Sequence, residues 1–190
     1  MTIEVDIKRA LELNQMMPHP EVESFAWLAR QAYHCRKILE IGTCHGASTR
    51  AMLDNSHATI YCVDSWAGGI DTSYGQVPED WAYQTFLENM RDMRKRLRIF
   101  KMYSHQAPKH LEGLEFDMVY IDADHSYSAV KQDIQNFAPF VREGGLLCGH
   151  DYEPGHPGCI AAVKELVSFP QKFGEMTWWT EREEGWLRYE

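Results

Sequence analysis

Lys37-Ile38-Leu39-Glu40-Ile41-Gly42-Thr43-Cys44-His45-Gly46-Ala47-Ser48-Thr49-Arg50 decides the fold. An apolar run carries one acid, a glycine turn follows, and small polar residues open the next segment. That is the layout of a strand, a tight loop and a helix N-terminus. Glycine removes the Cβ where a ligand approaches backbone amides, and a helix start offers unpaired N–H groups to a polar or anionic group. The spacing Glu-x-Gly-x-x-x-Gly-x-Ser differs from the Gly-x-Gly-x-x-Gly dinucleotide fingerprint. It points to a nucleoside-type ligand other than NAD.

Working outward, Thr59–Asp64 is a second apolar, β-branched strand that ends in an acid. A segment rich in Gly, Tyr and Trp follows, longer than most α/β connections, as lids and binding loops are. A helix is expected over 79–97, strand 3 over 99–103 and a short helix over 107–111. Phe116–Asp122 reads as strand 4, again closed by an acid. Helix 126–140 should turn Tyr127, Val130, Ile134 and Phe137 inward and Lys131, Gln132, Asp133 and Gln135 outward. A turn at Arg142–Gly145 leads to strand 5, 146–148, which ends at His150-Asp151, and a helix covers 160–167. The tail reads as a hairpin of 172–180 and 186–189, turned by Glu183-Glu184-Gly185. Before the glycine loop, helices are expected at 3–17 and 21–33, separated by Pro18-His19-Pro20. Alternating strands and helices imply an α/β fold with a mostly parallel sheet covered on both faces.

The chain has 190 residues, 44% hydrophobic and 25% charged, which is ordinary for one soluble domain spanning 1–190, with leading helices in 1–35 and the α/β core in 36–190. A net charge of −9 argues against nucleic acid or an anionic membrane as partner. The basic run Arg91–Arg98 reads as the solvated end of an amphipathic helix. Five cysteines without a Cys-x-x-Cys pair argue against a disulfide framework or zinc cluster and favour a reducing compartment. Acids occupy the N-terminal stretch where a signal peptide has its apolar core, so the expected location is cytoplasmic. A homodimer is compatible with the sequence.

Four features converge at strand C-termini: Gly42–Ser48, Asp64, Asp122 and His150-Asp151. Ligands of open α/β sheets bind there, and an acid about 20 residues beyond a glycine loop commonly receives ribose hydroxyls. Each acid alone also reads as a helix cap or solvated turn. His125 either caps the following helix or acts near neutral pH as a base. His105, His110 and His156 read as surface residues. Trp66, Tyr74, Trp81 and Tyr83 line a substrate pocket or pack in the core.

The segments ILEIGTCHGAST, IYCVDSW, FDMVYIDADHSYSAVKQDI and REGGLLCGHDY, together covering roughly 37–165, resemble class I S-adenosylmethionine-dependent methyltransferases. Within that class the chain is similar to the catechol-type and the cephalosporin-hydroxylase-like and sugar O-methyltransferases. The resemblance implies a Rossmann-like, doubly wound, mostly parallel seven-stranded sheet with a C-terminal antiparallel hairpin. It implies methyl transfer to a hydroxyl of a small molecule. It assigns Glu40, Gly42, Gly46 and Ser48 to the methionine-end cradle of S-adenosylmethionine, Asp64 to both ribose hydroxyls and Ser104 to the adenine edge. Asp122 helps place the methionine end and, in metal-dependent members, binds Mg²⁺ or Mn²⁺ with the two residues after strand 5, here His150 and Asp151. The sequence departs from the catechol-type pattern twice. His150-Asp151 stands where that pattern has Asp-Asn, and His125 stands where it has lysine. Asp122 and His125 are therefore the expected catalytic residues, with or without a cation. N-methyl transfer, a cofactor-binding module without turnover and an NAD dehydrogenase are the competing readings.

Overall fold

The computed structural model describes residues 3–13, 22–67 and 80–188. Seven strands form one sheet in the order β3-β2-β1-β4-β5-β7-β6. The strands are β1 (Lys37–Ile41), β2 (Thr59–Asp64), β3 (Leu97–Lys101), β4 (Phe116–Ile121), β5 (Val141–Gly149), β6 (Gln171–Phe173) and β7 (Thr177–Glu181). β1 to β5 pair in parallel, and β7 and β6 are antiparallel. The helices are α1 (Lys8–Leu13), α2 (Val22–Ala32), α3 (Ala47–Asp54), α4 (Trp81–Asn89), α5 (Tyr127–Phe137) and α6 (Pro157–Leu166). This is the expected mostly parallel, doubly wound sheet with an antiparallel end.

Strand side chains alternate between the two faces, and the core divides accordingly. Leu39, Ile41, Val119, Ile121 and Leu147 pack with α5 and α6. Ile38, Ile60, Met118, Tyr120 and Cys148 pack with the layer of α1 to α4. β7 follows the same rule, sending Trp178 to the first layer and Trp179 toward Trp27 of α2. Connectivity reverses between β1 and β4, which run in register from Ile38↔Met118 to Ile41↔Ile121. Gly42 and Asp122 therefore flank the switch point, where open α/β sheets place their ligands.

Several expected boundaries move. The first helix is confined to Lys8–Leu13 among the described residues, with Ala10 buried. Val22, which opens α2, and Tyr33, just beyond its end, are both exposed. The helix expected to reach 97 ends at Asn89 and passes into a 3-10 turn, Arg91–Arg96, so Leu97 opens β3. Within that turn Arg96 is not solvated: it donates to the carbonyls of Leu53 and Ala58, both at 3.0 Å, and so closes the α3–β2 connection. The short helix near 107–111 is two 3-10 turns, Ser104–Gln106 and Pro108–His110. α5 exposes Tyr127 and buries Asp133, the reverse of the expected faces. The turn at 142–145 lies inside β5, as a register shift against β4 between Phe116 and Met118.

The hairpin also sits earlier than expected. β6 and β7 turn at Gly174, whose φ of 59° is the left-handed conformation glycine adopts without penalty. Leu187 instead makes an isolated bridge to Val167. The Pro18-His19-Pro20 breaker, the Gly/Tyr/Trp-rich segment with Tyr74, and Tyr189 lie outside the described residues. Among the described residues, no helix is long and apolar enough to cross a membrane.

Candidate functional site

The glycine loop is held from both neighbouring strands. Gly42 N–H donates to Val63 O at 2.8 Å, and Asp122 N–H donates to Ile41 O at 2.8 Å. Gly42 has φ +85°, and a Cβ there would lie 2.1 Å from the Asp122 carbonyl oxygen. Only glycine lets the β4 loop pass so close. At the other end Gly46, φ 91°, precedes α3 with no side chain capping the helix, so its N-terminus faces the strand ends. These are the features of a cradle for a polar ligand group.

Glu40 lies beneath this loop with no exposed surface. Ser48 Oγ donates to its Oε1 at 2.6 Å and Thr49 Oγ1 to its Oε2 at 2.5 Å. Burial pushes its pKa up to about 8 against these two hydrogen bonds, with the charges of Asp122 and Asp64 adding to the rise. Ser48, expected at the methionine end of the cofactor, thus also carries the buried acid.

Asp64 anchors the loop. Its Oδ2 accepts from the amides of Thr43 and Cys44, both at 2.8 Å, and Oδ1 accepts from Trp66 N–H at 2.7 Å. The Trp66 indole returns a bond to Cys44 O at 2.7 Å. Cys44 and Trp66 pay for this with positive φ, 45° and 51°. A carboxylate offers about four lone-pair sites, and three are taken. Receiving both ribose hydroxyls therefore requires a loop amide to share its acceptor. Trp66 itself is buried against Tyr83 and Phe86, a core rather than a pocket position. Trp81 packs edge-on against His45, with centroids 4.7 Å apart.

Ser104 follows β3 in a 3-10 turn, and its side chain bonds the carboxyl of Asp133 on α5. Burial raises the Asp133 pKa to about 7, opposed by Ser104 and reinforced by Asp124. Periodicity had turned Asp133 outward, and the structure buries it beside Ser104 instead.

Asp122, His125, His150 and Asp151 come together at the ends of β4 and β5, around a small cavity also lined by Ile121 and Trp178. Asp122 Oδ2 accepts from Tyr120 Oη at 3.1 Å, and its Oδ1 stands 3.9 Å from His150 Nδ1. His150 Nδ1 is 3.3 Å from Asp151 Oδ1, and His125 Nδ1 is 3.1 Å from Asp151 Oδ2. Asp151 adopts φ 58°, a left-handed conformation that turns its carboxylate back over the cavity. Burial works to raise its pKa, but the hydrogen bond and charge of His150, with the charges of His125 and His156 nearby, hold it below the ordinary carboxylate range.

His150 is itself buried, with Nε2 3.4 Å from Ser24 Oγ, which accepts from Thr177 Oγ1 at 3.0 Å. A hydroxyl partner serves either tautomer. Nδ1 can therefore donate to Asp151, or turn a lone pair to a cation while Nε2–H donates to Ser24. Asp122, His150 and Asp151 offer ligand atoms within 4.8 Å of one another. Their oxygen and imidazole donors suit a divalent cation.

His125 does not cap α5. Ser126 does, accepting from Ala129 N–H at 3.4 Å. The His125 ring is left half-exposed at the cavity mouth, where it meets His156 edge-on with centroids 4.7 Å apart. His156, expected at the surface, belongs to this cluster through Asp151 and Glu153. Its only sequence signal was its place five residues after Asp151, just before the proline that opens α6.

A family model described as a methyltransferase domain matches residues 39–152. No curated protein shows significant similarity to the chain. Among solved structures, the chain is similar to an O-methyltransferase family protein from Burkholderia thailandensis, at 14% identity and TM-score 0.62, over 85% of this chain and 55% of that one. It thus spans little more than half of that protein. An O-methyltransferase from Bacillus cereus in complex with SAH is similar at 15% identity and TM-score 0.63, over 95% and 93% of the two chains. A calicheamicin methyltransferase is similar at 15% identity and TM-score 0.64, over 92% and 90%. These identities speak to the fold, and they agree with the strand order and the glycine loop at its switch point. The matched segment runs from within β1 to the loop after β5 and covers more than half of the sequence; the chain belongs to the methyltransferase-domain family and has the class I S-adenosylmethionine-dependent fold.

Proposed function

We propose that this methyltransferase moves the methyl group of S-adenosylmethionine to a hydroxyl oxygen of a small molecule, at the cavity between Asp122 and Asp151. The observation that carries the reading is the His125–Asp151 pair, 3.1 Å apart at the strand ends beside the glycine loop. The cofactor supplies an activated methyl on a sulfonium, so the protein's task is alignment and removal of one proton.

The chain's own residues divide that task. Gly42, Gly46 and the open N-terminus of α3 receive the polar methionine end, beside the buried Glu40 and Ser48 pair. Asp64 receives the ribose. Half-exposed His125 takes the acceptor's proton, and the carboxylate of Asp151 stabilises the imidazolium that results. Asp122, reached by the Tyr120 hydroxyl, faces the same cavity. A divalent cation held by Asp122, His150 and Asp151 would bind acceptor oxygens and lower a hydroxyl pKa. Ser24 Oγ would then accept from His150 Nε2–H and leave Nδ1 to the cation.

The test is transfer from S-adenosylmethionine across a broad panel of hydroxylated and amino acceptors, read as released S-adenosylhomocysteine. Turnover with a hydroxyl acceptor that falls at least ~100-fold in His125→Ala supports the reading. Turnover only with amines, full activity of His125→Ala, or no turnover with any acceptor sinks it. Loss of activity on chelation with recovery in Mg²⁺ or Mn²⁺ supports the cation, and chelator-insensitive turnover removes it.

A further inference from the structure

His125, Asp151 and His156 belong to three separate points of the chain: the β4–α5 loop, the second residue after β5, and the N-cap of α6. His125 Nδ1 lies 3.1 Å from Asp151 Oδ2, and His156 Nδ1 lies 3.4 Å from Asp151 Oδ1 and 3.1 Å from Glu153 Oε1. Both Nδ1 atoms are shielded from water, and neither completes a hydrogen bond. The carboxylates stand at ion-pair distance, but not where an N–H would point. A buried polar atom left so is destabilising, and two face one carboxylate here.

A bound cation removes that cost. Four ligands placed tetrahedrally about 2.1 Å from a zinc ion lie roughly 3.4 Å from one another. His125 Nδ1 and His156 Nδ1 stand 3.1 and 3.4 Å from the two oxygens of the Asp151 carboxylate, close to that edge length. Ligand atoms of His125, Asp151 and His156 all fall within 4.8 Å of each other.

We propose that His125, Asp151 and His156 form a three-ligand binding site for a borderline transition cation such as Zn²⁺ or Co²⁺, with the fourth position open to water. Two imidazole ligands select this class over Mg²⁺, which is bound through oxygen in octahedral geometry. The site shares only Asp151 with the Asp122–His150–Asp151 grouping, and it does not rest on the methyl-transfer reading. When filled it ties the β4–α5 loop to the β5–α6 loop and takes the Nδ1 lone pair of His125. Nε2 is left facing outward.

Titration of the chelator-treated full chain with Co²⁺ tests the proposal, because tetrahedral Co²⁺ absorbs intensely in the visible. The expected result is saturation near about one equivalent, displaced by Zn²⁺ and not by millimolar Mg²⁺. His156→Ala should weaken Co²⁺ binding by more than about 100-fold, while Asp122→Asn changes it by less than about 3-fold. No tetrahedral spectrum in the unaltered protein overturns the proposal. So does a spectrum that survives His156→Ala, or one lost in Asp122→Asn, which places the ion in the other grouping. Thermal unfolding verifies that each variant is folded, and the unaltered protein is also titrated with S-adenosylhomocysteine by calorimetry. That titration keeps failure here distinct from failure of the methyltransferase reading.

Discussion

Ser48 Oγ donates to Glu40 Oε1 at 2.6 Å, so the first turn of α3 holds down an acid with no exposure to water. The pKa of that acid is raised to about 8 chiefly by burial. Between its ordinary value of 4.5 and about 8, the folded chain keeps a proton that the unfolded chain has released. The stabilisation is fully present below the ordinary value and is lost as pH rises through the folded one. Asp133, raised from 3.8 to about 7, acts with the same sign. Urea midpoints should fall from pH 5 to pH 8.5, and Glu40→Gln with Asp133→Asn should flatten the slope. An undiminished slope in the double variant would rule this out.

Asp64 serves the loop and the cofactor at once, so its two substitutions should differ. Asp64→Ala removes the acceptor of three backbone amides and should weaken S-adenosylhomocysteine binding by at least ~100-fold, or about 2.7 kcal/mol. Asp64→Asn keeps one carbonyl oxygen and should lose less. NADH should not bind. Calorimetry giving equal losses for the two variants would mean that the loop, not the ribose contact, dominates.

Gly42→Ala forces a Cβ onto backbone only 2.1 Å away, at a φ of +85°. Asp122 is tied in place by the bond from its N–H to the Ile41 carbonyl, so the cost should exceed about 2 kcal/mol. Thermal unfolding will read it as a lowered midpoint. An unchanged midpoint would show that the β1 and β4 loops separate freely.

Ser126→Ala removes the cap of α5 and should cost about 1 kcal/mol in denaturant unfolding. His125→Ala should cost less in the same measurement, since its ring bridges loops rather than closing a helix. The opposite order would return the capping role to His125.

The strands were legible because each ends where its apolar, β-branched run meets glycine or an acid: Ile41-Gly42, Asp64 and Ile121-Asp122 were placed to within a residue. What the sequence hid was set by distant partners. Asp133 looked solvated from its helix alone, and it is buried because Ser104, far along the chain, meets it. The hairpin was misplaced because Lys172–Thr180 reads as one alternating run, and Glu183-Glu184-Gly185 is the stronger local turn signal. Only the pairing of β7 with β5 settles that Gly174 turns instead. His156 had no periodic or motif signal, and its role depends on the left-handed turn at Asp151.

The loop that Asp64 gathers leaves the thiol of Cys44 exposed, whereas Cys35, Cys62, Cys148 and Cys159 are all buried. Burial also raises the pKa of those four, Cys35 and Cys159 to about 12, which suppresses the reactive thiolate. A mild alkylating reagent should therefore label this protein at one position, on the glycine loop itself. A fluorophore placed there would report ligand arrival in real time, with no substitution needed to introduce it.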